Sequence, residues 1–209
     1  MPPSAQTEAP MPDASILAAM ALFAFTTSAT PGPVNIIGAM SGARFGTAAT
    51  LPFVTGATVI FVALLLLLGF GAIAGLGWIE ALEMPLTWIG SAYLLWLAWK
   101  IARSDTNAPH AANTSRPSFL DGIVVQGVNP KAWFVIVSAL MTFVLPLDAR
   151  TPGLTAFAAI YLVVCWLSLA AWAWVGARLA RRWGTGFNRI MAALLVISVV
   201  WMLYEGFAG

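Results

Sequence analysis

Long apolar runs separated by short charged or polar segments organise this chain. No charge occurs from Ala14 to Ala43, and after Arg44 none occurs until Glu80. Each run suits a membrane helix, which needs roughly 20 predominantly apolar residues. A third block runs from about Met84 to Ala102, a fourth from Phe119 to Leu147 with Lys131 inside it, a fifth from Gly153 to Ala177 and a sixth from Ile190 to Phe207. Between the third and fourth lies Arg103 to Ser118, RSDTNAPHAANTSRPS, whose polar and turn-forming residues mark a linker. The pattern predicts an all-α integral membrane protein of six transmembrane helices. Its expected divisions are a disordered tail at 1–13, a first three-helix half at 14–103, a cytoplasmic linker at 104–117 and a second three-helix half at 118–209. The tail has no Lys or Arg and so does not read as the basic start of a cleaved signal peptide.

Composition strengthens this picture. The chain is 60% hydrophobic and 9% charged, with a mean hydropathy of +0.87, whereas a hydrated surface normally requires about 25% charged residues. One cysteine, Cys165, excludes an intrachain disulfide or a redox pair, and reads as a small apolar filler in the fifth helix. One histidine, His110, leaves no histidine cluster for a metal. Charge placement says more than the net charge of +2. Arg44 lies in the first loop, Lys100, Arg103 and Arg116 around the third, and Arg178, Arg181, Arg182 and Arg189 around the fifth; the fourth loop holds only Arg150. The positive-inside rule therefore puts the loops around Arg44, Arg103–Arg116 and Arg178–Arg189 in the cytoplasm and both termini outside. The fifth-loop arginines suit anionic headgroups, and no nucleic-acid partner is expected. Trp78, Trp88, Trp183, Trp201 and Tyr204 suit the interfacial belt.

Two spans carry helix breakers. In the first, Thr30-Pro31-Gly32-Pro33-Val34-Asn35 removes backbone donors and should break the helix, with Thr30 as cap of a new half-helix starting at Pro31 or Pro33. A simple packing kink is the plainer alternative. In the fourth, Gln126-Gly127-Val128-Asn129-Pro130-Lys131 offers Asn129 as cap and Pro130 as first residue. At about 1.5 Å per residue, both breaks fall toward mid-membrane, where their positive N-terminal ends could face one point. Interrupted helices at corresponding places in inverted three-helix halves point to a transporter site, although the halves share no clear residue-by-residue similarity.

Lys131 is the most informative ion, because an amine in the hydrocarbon region costs at least about 2.5 kcal/mol. It reads as counter-charge for a substrate carboxylate or as a group whose protonation changes during transport, with snorkelling or a pairing with loop carbonyls as the plain alternative. Asp121, in the first turn of the fourth span, is stabilised by the helix dipole or else exchanges protons. Glu80, Glu83 and Glu205 read as solvated end charges. Gly38, Gly42 and Gly46, and also Gly71 and Gly75, have the four-residue spacing of close helix contacts. That spacing serves internal packing or a homodimer. Asn35 either satisfies broken-helix backbone or bonds substrate.

The stretches TPGPVNIIGAMSGARFG, LPFVTG, GSAYLLWLAWKIA and VNPKAW, in that order, resemble the LysE/RhtB family of amino-acid exporters, from about Ser15 to Phe207. The resemblance implies a six-helix bacterial inner-membrane protein that exports amino acids or related metabolites using the proton motive force. It carries Pro31, Gly32, Pro33, Asn35, Gly42, Arg44, Asn129, Pro130 and Lys131 over as motif positions. Where relatives often have a large aromatic residue before VNPK, this chain has Gly127, which makes more room and bears on substrate size. The expected substrate-binding or gating residues are Thr30, Pro31, Gly32, Pro33, Asn35, Gln126, Asn129, Pro130 and Lys131, with Asp121 and Lys131 as candidates for charge coupling. No cofactor or resident metal is expected; the expected partners are the amino-acid substrate, protons and lipid. Export of a metal cation or another small solute is the competing reading, with a membrane enzyme or accessory subunit behind it.

Overall fold

The computed structural model describes residues 11–75, 116–183 and 185–208, together with the isolated helical positions Trp88, Ala92, Leu95 and Trp99. Most of the third expected span, most of the linker and the first ten residues of the tail lie outside these, as do Glu80 and Glu83. The described residues form α1 (Ala14–Ala29), α2 (Pro33–Phe45), α3 (Thr47–Ile73), α4 (Phe119–Gly127), α5 (Pro130–Ala139), α6 (Arg150–Trp183) and α7 (Thr185–Ala208). A π-helical segment, Leu140–Val144, extends α5.

α3 and α6 are long and apolar enough to cross a membrane unaided. The pair α1 and α2 makes one further crossing, bent by 58°, and α4 with α5 another, bent by 68°. The chain is thus an all-helical membrane protein whose first and fourth spans are broken where the prolines stand. Each broken span lies against an unbroken helix: α1 and α2 along α6, and α4 along α3, while α3 and α6 also pack on each other. α6 runs parallel to the first span, with Phe23 beside Phe157 and Thr27 beside Tyr161, and antiparallel to α3, where Trp166 reaches Thr55 and Tyr161 stacks on Phe61.

Glycines set the closest approaches. A Cβ at Gly42 would overlap the Ala173 carbonyl, and one at Gly176 would overlap that of Ala39. α3 and α4 repeat the device, Gly56 lying against Phe119 and Gly122 against Phe53. In lipid, such backbone proximity supplies the dispersion contact that hydrophobic burial cannot. The expectation that Gly46 and Gly75 belong to packing stripes is corrected: both have positive φ, 84° and 76°, and no neighbour crowds their missing side chains. Gly46 instead makes the sharp turn from α2 into α3, a conformation costly for residues with a Cβ.

Candidate functional site

Proline chemistry places both breaks. Thr30, ahead of Pro31, is extended (φ −63°, ψ 138°), and so is Gly32 (φ −151°, ψ 174°), before α2 restarts with Pro33 in its first turn. Thr30 therefore closes α1 and does not cap α2; Gly32 occupies the cap position without a side-chain bond. The second break follows the expected pattern. Asn129 is extended (φ −77°, ψ 109°), its Oδ1 accepts from the Lys131 backbone N–H at 3.2 Å, and Pro130 opens α5.

A broken helix strands carbonyls that must be satisfied inside the protein. Asn35 Nδ2 donates to Ser28 O at 2.7 Å, and Trp172 Nε1 donates to Ala29 O at 3.1 Å. Lys131 Nζ donates to Thr30 O at 3.0 Å and to Thr30 Oγ1 at 2.8 Å. At the second break Trp133 Nε1 donates to Gly127 O at 2.9 Å, and Asn129 Nδ2 to Gln126 Oε1 at 2.9 Å. The Lys131 stem also crosses Gly32, where a Cβ would come within 3.0 Å of Cδ. Lys131 thus joins the two breaks directly, and the amide of Asn35 serves the broken backbone.

The first turns of α2 and α5, with Val34, Asn35, Lys131 and Ala132, open onto one cavity. Thr27 and Ser28 of α1 and Gln126 and Asn129 at the second break complete that side of the lining. The long helices contribute Phe61, Tyr161, Cys165 and Leu169. Tyr161 stacks on Phe61 with ring centroids 4.2 Å apart. Its hydroxyl donates to Thr27 Oγ1 at 2.6 Å, since the Thr27 proton is taken up by Phe23 O at 2.7 Å. Behind Tyr161, the rings of Phe157, Phe143 and Phe23 continue the aromatic wall. The cavity volume is about 30 Å³, room for two or so water molecules at roughly 10–15 Å³ each on the same measure. A larger solute requires the lining to move.

Of the residues expected from sequence, Asn35, Gln126, Asn129 and Lys131 line the cavity, and Thr30 joins them through Lys131. Pro31, Gly32, Pro33 and Pro130 shape the breaks rather than the lining. Asp121 is elsewhere: exposed at the start of α4, it closes a capping box with Ser118, its Oδ2 accepting from Ser118 N at 2.7 Å. Gly127 does leave room, since a Cβ there would meet only Ile60 at an ordinary 3.9 Å, but it does not line the cavity. Cys165, expected as filler, lines the cavity 3.9 Å from the Thr58 hydroxyl. Ser28, Phe61 and Tyr161 were not expected at all. Phe61 and Tyr161 sit in apolar runs, where only helical phase relative to the breaks could pick them out, whereas Ser28 lies in the polar stretch Thr26-Thr27-Ser28-Ala29-Thr30 just before the first break.

A family model described as LysE type translocator matches residues 25–206. Proteins from Escherichia coli strain K12, Escherichia coli O157:H7 and Shigella sonnei strain Ss046, each named cysteine/O-acetylserine efflux protein, are similar. Each is 31% identical over 198 residues, covering 91% of this chain and 98% of the relative. No solved structure matches the chain.

Proposed function

The chain belongs to the LysE translocator family, and we propose that it is a secondary exporter carrying a small amino acid or amino-acid-like metabolite out across the bacterial inner membrane, driven by the proton motive force. The observation that carries this reading is the Lys131 ammonium held between two helix breaks at a cavity otherwise lined by neutral groups. Lys131 and the N-terminal turns of α2 and α5 attract a carboxylate, since exposed helix N–H groups carry partial positive charge. The substrate carboxylate takes Lys131 from Thr30, loosening the link between the breaks as it binds. Asn35, Gln126 and Asn129 supply hydrogen bonds, and the faces of Phe61 and Tyr161 receive the substrate ammonium.

No acidic side chain lines the cavity among the described residues, which argues against amino acids with a second positive charge. The similar proteins are named for cysteine and O-acetylserine, both neutral at the side chain, and a substrate of that class fits this lining. Lys131 is favoured over Asp121 for charge coupling because Lys131 faces the cavity, whereas Asp121 is bound into its cap. The cytoplasmic side in this reading is the one bearing Arg44, Arg116 and Arg178. The parallel course of α2 and α6 supports it by bringing Arg44 and Arg178 to one end.

Proteoliposomes loaded with a labelled amino-acid mixture containing cysteine and O-acetylserine test the reading. Efflux of a neutral subset that an uncoupler abolishes is the expected result. If every amino acid is retained despite verified insertion, the exporter reading fails.

A further inference from the structure

Among the described residues, Ser28 Oγ is the one fully buried side-chain polar atom without a hydrogen-bond partner. Ser28 is 7% exposed, lies one residue from the end of α1 and lines the cavity. Its lack of a partner is specific to this hydroxyl. A helical serine ordinarily turns back onto a carbonyl three or four residues earlier, and the neighbouring hydroxyls do so: Thr26 and Thr27 bond to Phe23 O, and Thr30 bonds to Thr27 O. The Ala24 carbonyl, which Ser28 would use, is approached instead by Thr27 Oγ1 at 3.3 Å. Ser28 Oγ is left beside the Tyr161 hydroxyl and the Cys165 thiol, near enough to interact with both but without hydrogen-bond geometry to either. The Ser28 backbone, meanwhile, is pinned by Asn35, so the residue is held in place while its hydroxyl is free.

A buried hydroxyl without a partner is costly, and its position here gives it a use. Ser28 is two residues from Thr30, whose carbonyl and hydroxyl hold Lys131. The cavity therefore has a cationic end and, within about one helical turn of it, an unsatisfied neutral hydroxyl. Building on the exporter reading above, we propose that Ser28 is a specificity-determining residue that hydrogen-bonds the polar atom on the side chain of a short neutral amino acid, whose carboxylate sits at Lys131. The substrate class is the α-amino acid with a hydroxyl, thiol or ester oxygen at its β-carbon. Longer side chains would overrun the short span between Lys131 and Ser28, and apolar ones would leave Ser28 unsatisfied. A site built around such a hydrogen bond rejects the analogue that lacks it.

The test compares efflux of labelled serine and cysteine with that of 2-aminobutyrate, in which a methyl group replaces the hydroxyl or thiol. Rates are measured in proteoliposomes per inserted protein. The wild type should favour serine and cysteine by about tenfold, the discrimination one neutral hydrogen bond commands. Ser28→Ala should bring the ratio to within about twofold, chiefly by slowing the polar substrates, with 2-aminobutyrate efflux retained. A purely structural role for Ser28 would scale all three rates together and leave the ratio alone. Should Ser28→Ala insert poorly, Ser28→Gly gives the same ratio measurement. An unchanged ratio in the variant, as expected if only a water molecule serves Ser28, overturns the proposal and leaves the exporter reading standing. No wild-type efflux of any of the three overturns the proposal, and retention of the whole amino-acid mixture above is what would overturn the exporter reading as well.

Discussion

At the residue scale, Lys131 links the physics of insertion to the proposed transport. Its amine is costly in hydrocarbon, yet here it satisfies the stranded Thr30 carbonyl and finds the Thr30 hydroxyl as well. Lys131→Met should insert and fold, because an apolar chain of similar length replaces a costly ion, while efflux falls at least about 100-fold. Membrane yield and proteoliposome efflux measure the two effects, and wild-type efflux in the variant would remove the proposed role. Tyr161→Phe keeps the stack on Phe61 but loses the bond to Thr27. It should lower stability by about 1 kcal/mol, read as a shift in detergent melting, with transport altered far less than in the Lys131 variant. Lys131 stands out in sequence because a charge interrupts an apolar span. Tyr161 does not, since an aromatic residue in an apolar helix is ordinary and only its phase against α1 and α3 brings it to the cavity. Thr30 shows the converse difficulty: whether it ends one helix or starts the next depends on which of two prolines opens α2, and the structure chooses Pro33.

At the element scale, two kinds of feature act together, prolines that end helices and glycines that let helices touch. Pro130→Ala returns a backbone donor to the second break and removes the clash that favours an extended Asn129. α4 and α5 should then tend to merge, and efflux should drop at least about tenfold with insertion retained. An unaltered rate would show that the bend of 68° is held by packing alone. Gly176→Val forces a branched side chain onto the Ala39 backbone where α2 meets α6. The variant should lose at least about 2 kcal/mol, since backbone cannot yield as a flexible side chain can, and a melting curve measures it. Glycine spacing alone misleads at Gly46 and Gly75, where the same interval serves a turn.

At the scale of the whole molecule, the arginine distribution and the helix directions agree on one arginine-bearing end. In a Cys165→Ala background, Ser118→Cys should label from the cytoplasmic side and Pro12→Cys from the outside. Reversed labelling would invert the orientation without touching the family assignment. Sequence by itself determined that the chain is an all-helical membrane protein, where its first and fourth spans break, that Lys131 lies at the second break, and which family it belongs to. These are local matters: a run of apolar residues, a missing backbone donor or a charge in lipid has the same consequence wherever the chain goes next. Tertiary structure alone decided that Lys131 reaches Thr30, that Cys165, Tyr161 and Ser28 share its cavity, and that Asp121 and Gly127 do not. Those outcomes depend on which faces of separate helices meet, and the phase of one uniformly apolar helix against another is settled only by close packing between them.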